Sequence, residues 1–230
     1  MKYKFEKINT LNLFDWFLII GVVVANLIYS IKMEEFDWMG SIAGVTGVVC
    51  VVLVAKGNIF NYLFGVVNVT LYAIISYKAK LYGDAALNAL YYFPMQFIGW
   101  YSWVYRRQES SGVTVTARRL SFKGRLFLTL FTVATVLLGA WLLKYWNDPQ
   151  PLKDSATTVI SIIAMYIMVK RYMEQWVLWV AVNLISVAMW VVAWIAGGEH
   201  AALMVIMWLF YLVNSISGWV NWSRLSQERY

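Results

Sequence analysis

Eight stretches of mostly apolar residues, 15 to 23 long, follow one another along this 230-residue chain. They are Leu13–Ile31, Trp38–Ala55, Ile59–Tyr77, Ala85–Tyr105, Leu126–Leu143, Ser155–Val169, Trp176–Ala196 and His200–Trp222. A helix crosses the hydrocarbon of a bilayer with roughly 20 apolar residues, and about 17 to 25 are tolerated. Strands of a membrane barrel are about half as long and alternate apolar with polar residues, a pattern these stretches lack. The chain is therefore expected to be an all-α membrane protein of eight transmembrane helices. Composition agrees, because 61% hydrophobic and 13% charged residues are too greasy for a soluble domain of this length.

The formal charge of +7 would suggest nucleic acid in a soluble protein, but no basic and aromatic arm stands apart from the apolar runs. The basic residues are expected to orient the chain. If all eight stretches span, 14 of the 19 Lys and Arg residues fall on one side: Lys2, Lys4, Lys7, Lys56, Arg106, Arg107, Arg118, Arg119, Lys123, Arg125, Lys170, Arg171, Arg224 and Arg229. Lys32, Lys78, Lys80, Lys144 and Lys153 fall on the other. The positive-inside rule then puts both termini in the cytoplasm. The first apolar run has Asp15 and Trp16 at its start and no small-residue cleavage site behind it, so it is expected to be retained rather than removed as a signal peptide.

Catalytic chemistry is poorly supported. The single Cys50 excludes a disulfide framework or thiolate cluster within one chain and is expected to pack as a small hydrophobe. His200, the only histidine, stands at the start of the eighth stretch in an interface role. No His/Asp/Glu cluster has metal-ligand spacing, and no base accompanies a Ser or Thr within the spans. A non-enzyme without metal or cofactor is expected.

The chain nearly repeats itself. Gly99-Trp100-Tyr101-Ser102-Trp103 returns as Gly218-Trp219-Val220-Asn221-Trp222, 119 positions on. Asn68 set against Asn183 gives an offset of 115, which also pairs Lys56 with Arg171, Gly83 with Gly198 and Asp84 with Glu199. The acidic pair is expected to cap matching helix starts, where a carboxylate suits the positive dipole end. Spans two to four thus match spans six to eight. A three-helix unit ends on the side opposite its start, so span five must carry the chain back as an inverter helix. The result is two parallel three-helix repeats, the arrangement of SWEET transporters, whose binding site lies between repeats near the midplane. The expected segments are 1–37 (an extra helix), 38–105 (first repeat), 106–154 (basic loop and inverter), 155–222 (second repeat) and 223–230 (tail).

Polar residues inside the spans carry the chemistry. On span four Asn88, Tyr92, Gln96, Gly99 and Trp103 share one helix face. On span eight the equivalent stripe is Met207, Tyr211, Ser215, Gly218 and Trp222, with Asn214 adjacent. Span three offers Asn61, Gly65, Asn68 and Tyr72, and span seven Trp176, Trp179, Asn183 and Trp190. An amide left unsatisfied in hydrocarbon costs several kcal/mol, so these groups face inward or line a cavity. Interhelical hydrogen bonding, worth about 0.6 to 2 kcal/mol each, is one role for them and substrate binding the other. Trp176 and Trp219 suit an interfacial aromatic belt, whereas Trp179, Trp190 and Trp208 lie deeper. Tyr91, Phe93 and Trp100 are expected to pack. Gly40, Gly44 and Gly47 read as small-residue helix packing. Pro94 lacks an amide hydrogen and clashes with the carbonyl of Leu90, so a kink beside Gln96 is expected, either as a hinge or gate or as a fixed bend.

No Asp, Glu, Lys, Arg or His stands near the centre of a span, whereas pumps and ion-coupled carriers keep such groups at their relays. Facilitated diffusion is the expectation. A cavity of amides and aromatic faces suits a flat, polar, neutral or cationic molecule such as a pyridinium nucleoside.

The span-four run Leu90 to Trp103 and the span-seven run Trp176-Val-Leu-Trp179-Val-Ala-Val-Asn183, on two repeats around an inverter, resemble the PnuC vitamin transporters over about residues 40 to 222. The resemblance implies a seven-helix core, with the first span outside it, in the cytoplasmic (inner) membrane of a bacterium. It implies uptake of nicotinamide riboside by facilitated diffusion, with a separate cytosolic kinase trapping the product. Similar proteins carry thiamine or riboflavin, and SWEETs carry sugars. Gln96 and Asn183 are expected to bind carboxamide and ribose, with Asn68, Asn88, Asn214 and Ser215 contributing. Tyr92, Tyr211, Trp179 and Trp208 are expected to form aromatic walls. A non-transporting receptor or structural membrane protein is the alternative of another class, and a homo-oligomer is left open.

Overall fold

The computed structural model describes residues 11–33, 36–107, 117–145 and 151–227. The described residues are helical almost throughout: α1 Leu13–Met33, α2 Trp38–Ala55, α3 Asn61–Lys78, α4 Tyr82–Ala86, a π-helical turn Leu87–Tyr92, α5 Phe93–Arg107, α6 Phe122–Tyr145, α7 Pro151–Val169, α8 Gln175–Ile195 and α9 Ala201–Gln227. Lys2, Lys4, Lys7 and Arg229, which contribute to the expected orientation, lie outside the described residues, as do parts of segments 1–37, 106–154 and 223–230.

Six helices, α1, α2, α6, α7, α8 and α9, are long and apolar enough to cross a membrane. The sequence suggests eight such segments, and the difference has a cause. Helix α3 carries Asn61, Asn68, Thr70 and Ser76. The stretch from Tyr82 to Arg107 carries Asp84, Asn88 and Gln96 and changes helix type midway. The sixth expected segment, the shortest in sequence, gains a turn by starting at Pro151, because proline suits the first position of a helix.

Pro94 does not simply bend its helix. Directly ahead of it the chain widens into the π turn, where the backbone N–H of Phe93 donates to the Asn88 carbonyl. The wider turn relieves the collision with the Leu90 carbonyl that an unbroken α-helix would impose. A change of helical register thus stands directly ahead of the expected kink.

Helix α2 packs against α3 and α9, while α7 packs against α8 and against the α4–π–α5 segment. Helix α1 lies across α2 and α9, and α6 touches only α7 among the described helices. The turns joining α2 to α3 and α7 to α8 have the same form. Each holds a residue in the left-handed region, Gly57 at φ 64° and Arg171 at φ 67°, 114 positions apart. The turns after α3 and α8 also match. Lys80 (φ 60°) answers Gly197 (φ 77°), and the bonds Leu81 N–H to Ser76 O and Gly198 N–H to Ala193 O are equivalent, 117 positions apart. The shift from 114 to 117 is the greater length of α8, 21 residues against 18. The turns place the local offset at 114 in place of 115: Lys56 answers Lys170, not Arg171, and Asn68 and Asn183 stand one position out of register. Glu199 and Asp84 do not cap matching helices either. Glu199 is exposed and pairs with Lys78 at 3.4 Å, while Asp84 turns toward the interior.

The Gly-Trp-x-x-Trp motifs are close-approach points. A Cβ on Gly99 would run into the Tyr62 ring, and one on Gly218 into Trp176. Tyr62 and Trp176 stand again 114 apart and are fully or almost fully buried. With Trp103 and Trp222 they close one end of the bundle: Tyr62 meets Trp103 edge-on at 5.2 Å, Trp176 meets Trp222 at 6.0 Å, and Trp222 donates to the Ala55 carbonyl at 3.1 Å. Trp176 is therefore an internal residue, not part of an interfacial belt.

Charged groups pin the helix ends. At the aromatic end Lys56 pairs with Asp15 at 2.7 Å, both side chains at most 5% exposed. Asn12 and Asp15 exchange capping bonds that begin α1. Glu174 accepts from Arg125 at 2.8 Å and from the Leu120 N–H, anchoring the start of α6 over the α7–α8 turn. At the opposite end Asp37 caps α2 through the Gly40 N–H and meets His200 Nδ1 at 2.5 Å. Removing one member of a buried ion pair costs about 3 to 5 kcal/mol because the other charge is left uncompensated. Lys56→Ala is expected to destabilise the protein by that order in detergent melts. The double variant Asp15→Leu/Lys56→Met is expected to recover most of the loss.

Candidate functional site

The space between the helices is a cavity of about 970 Å³, counting the part that opens outward. It is walled by α2, α3, the α4–π–α5 segment, α7, α8 and α9. Nine of the ten residues expected to bind substrate line it. Gln96, Asn183, Asn68, Asn88 and Ser215 supply polar groups, and Tyr92, Tyr211, Trp179 and Trp208 supply aromatic surface.

Glycines create the room. A Cβ on Gly47 would strike the Tyr211 hydroxyl and the Asn68 amide, and one on Gly65 would strike Gln96 Oε1. The small residues of α2 thus do more than let helices approach: Gly44 faces Asn26 on α1, while Gly47 seats the cavity wall. Tyr92 and Trp179 lie with ring centroids 6.2 Å apart on one side. Trp208 and Tyr211 lie edge-to-face at 5.1 Å on another.

The amides differ in how far neighbours occupy them. Asn68 donates to the Ala43 carbonyl at 2.8 Å and accepts from the Tyr211 hydroxyl at 3.3 Å, so it is largely a strut between α2, α3 and α9. Asn183 donates to Ser215 Oγ at 2.7 Å, which donates onward to the Tyr211 carbonyl at 2.8 Å; the Asn183 carbonyl oxygen takes no part in that relay. Gln96 holds only a long contact, Nε2 to the Tyr92 carbonyl at 3.4 Å. Asn88 donates to the Asp84 carbonyl one turn back at 2.9 Å.

One residue expected to bind substrate and the expected hinge residue stand apart. Asn214 does not line the cavity; it is 1% exposed and donates to the Val51 carbonyl at 2.9 Å. Its position beside the stripe, not on it, turns it toward α2. Pro94 is exposed on the outer side of its helix. Trp190 is also outside the lining, although fully buried. It donates from Nε1 to the Tyr72 hydroxyl at 2.5 Å. Cys50 lines the wall, beyond the plain packing role expected of it.

Sequence reasoning passed over Thr157, Ser161 and Ser186, which line the cavity together with Tyr72 of the expected span-three stripe and Asp84, expected only as a helix cap. Ser186 stands three residues after Asn183, so helical spacing could have found it. Nothing in spacing marks Asp84, which stands near a helix start where a capping role is the simpler reading. Asn61 and Trp176 line the cavity toward the aromatic end. There Asn61 Oδ1, Trp176 Nε1 and both polar atoms of fully buried Gln175 have no hydrogen-bond partner among the described residues.

The sequence model described as "Nicotinamide mononucleotide transporter" matches residues 37–224. A protein of Neisseria mucosa named nicotinamide riboside transporter PnuC is 40% identical over 194 residues, covering 82% of this chain and 73% of its own. One of the same name from Haemophilus influenzae is 33% identical over 207 residues, covering 90% and 88%. A crystal structure titled as the vitamin B3 transporter PnuC superposes with a TM-score of 0.85 at 33% identity over the whole of both chains.

The division between struts and cavity groups can be checked. Asn214→Ala is expected to lower stability by about 1 to 3 kcal/mol, since the buried Val51 carbonyl loses its donor, while ligand affinity stays within about twofold of wild type. Calorimetry and thermal melts on one purified sample read both quantities.

Proposed function

Because the chain belongs to the nicotinamide mononucleotide transporter family, we propose that it carries nicotinamide riboside across the inner membrane of a bacterium. One observation carries the choice of nucleoside over nucleotide: no Lys, Arg or His lines the cavity among the described residues, whereas Asp84 does. A phosphate is bound by cationic side chains or helix N-termini and would be repelled by a carboxylate. The relatives named as riboside transporters agree with this choice.

In this reading Gln96 and Asn183 bind the carboxamide and the ribose, since each keeps hydrogen-bonding capacity that neighbours do not take up. Ser215 and Asn88 contribute, and Asn68 holds the wall in place. Tyr92 and Trp179 on one side, Trp208 and Tyr211 on the other, sandwich the flat ring. Eight helical spans cross the bilayer, counting α3 and the α4–π–α5 segment, whose polar faces turn to the cavity. The matched turns and the reciprocal contacts of α2 with α9 and of α7 with α4–π–α5 support two parallel repeats, with α6 as inverter and α1 as an added brace. The end bearing Lys56, Arg118, Arg125 and Arg171 is cytoplasmic, with the chain termini on that side.

Transport is facilitated diffusion, and a separate cytosolic kinase retains the product. The repeats rock about the cavity, and the π turn ahead of Pro94 is the place where the α4–π–α5 segment flexes.

Gln96→Ala and Asn183→Ala are each expected to weaken riboside binding by about 1 to 3 kcal/mol, roughly 5- to 150-fold, by leaving substrate groups buried and unpaired. Wild-type affinity in both would contradict the placement. Protein in liposomes is expected to take up labelled riboside to equilibrium without an ion gradient, and strict dependence on a proton or sodium gradient would refute passive transport.

A further inference from the structure

We propose that Asp84 is the specificity-determining residue of the cavity, favouring substrates whose ring carries a positive charge over neutral ones of the same shape. This rests on the reading of the cavity as a pyridinium nucleoside site.

The hydrogen bonds around Tyr72 can run in one direction only. Its oxygen accepts from Trp190 Nε1 at 2.5 Å and from Trp208 Nε1 at 3.1 Å. Indole N–H groups are donors only, so both acceptor sites of the hydroxyl are taken and its hydrogen has to leave outward. It goes to Asp84 Oδ2 at 3.0 Å. Three aromatic side chains from α3, α8 and α9 thus end on a carboxylate that acts as acceptor and lines the cavity.

Asp84 lacks a cationic counterpart there. The cavity wall has no basic residue among those described. The charged groups that face it from α7, Lys153 and Asp154, make an ion pair with each other at 3.8 Å. An ionisable side chain that faces the interior of a membrane helix bundle marks a ligand or ion path more often than a structural contact. In a site of low dielectric its field on a monovalent ring is strong. The Trp208 indole, tied to the same hydroxyl, offers an aromatic face beside it, and such a face also attracts a cation. The same arrangement opposes an anion.

The alternative is that Asp84 serves only as an acceptor for Tyr72. Asp84→Asn separates the two, because an asparagine oxygen still accepts the Tyr72 hydrogen while the charge is gone. The experiment measures calorimetric affinities of wild type, Asp84→Asn and Asp84→Glu for nicotinamide riboside, which is cationic, and for its dihydro form, which has the same shape and no ring charge. Wild type is expected to prefer the cation at least tenfold. Asp84→Asn is expected to lose that preference, binding the cation at least tenfold more weakly and the neutral form within twofold of wild type. Asp84→Glu is expected to keep part of the preference. A preference unchanged in Asp84→Asn, or equal loss of both nucleosides, overturns the proposal alone. Failure of wild type to bind either nucleoside overturns the reading of the cavity, and the proposal with it.

Discussion

Within a bilayer no water completes a half-made hydrogen bond, so every polar group buried between the helices has to be answered from inside the protein. Much of the interior is arranged around that demand, with Asn61 Oδ1, Trp176 Nε1 and the Gln175 amide as exceptions among the described residues. Asn214 ties α9 to α2 through Val51, Asn68 ties α3 to Ala43, and Trp222 ties the end of α9 to Ala55. With those struts in place, a second set of polar groups is left facing the cavity: the carbonyl of Asn183, the Gln96 amide and the Asp84 carboxylate. A core built only to fold would have replaced them with leucine.

The cavity depends on close helix approach at a few small residues. Gly47 and Gly65 give the polar walls their space, while Gly99 and Gly218 let Tyr62 and Trp176 seal the aromatic end. The turns at Gly57 and Arg171 share one backbone conformation, yet α8 is three residues longer than α3. Equivalent helices consequently bring different side chains to the cavity. The first half contributes Gln96, Asn88 and the carboxylate, and the second contributes Asn183, Ser215 and two tryptophans, Trp179 and Trp208. An asymmetric molecule with a charged ring at one end and hydroxyls at the other suits such a lining.

Much of this was legible in the sequence, because hydrophobic length and helical spacing are local properties. The helix positions, and the stripe joining Asn88, Tyr92 and Gln96, followed from them directly. What escaped depends on three dimensions. The polar stripes of α3 and of Tyr82–Arg107 marked both as lining helices, but the change of helix type between Ala86 and Phe93 left no trace in their spacing. Pro94 announced a disturbance, but its spacing did not show that the helix widens by a residue ahead of it. Asn214 and Ser215 are neighbours in sequence and turn to opposite duties. Asp84 looked like a helix cap because only the fold brings Tyr72 to it. Trp176 stood at a span end, where tryptophan commonly meets the interface, and only the gap left by Gly218 shows that it points inward.

The central claim is that the aromatic-walled cavity between the two sets of helices is where the substrate rests. A structure of the purified protein with nicotinamide riboside bound tests it most directly. The account predicts density for the nucleoside inside the cavity, its ring between the Tyr92–Trp179 and Trp208–Tyr211 surfaces and its polar atoms within hydrogen-bond distance of Gln96 and Asn183. Density elsewhere on the molecule, with the cavity unchanged and unfilled at saturating ligand, would contradict it.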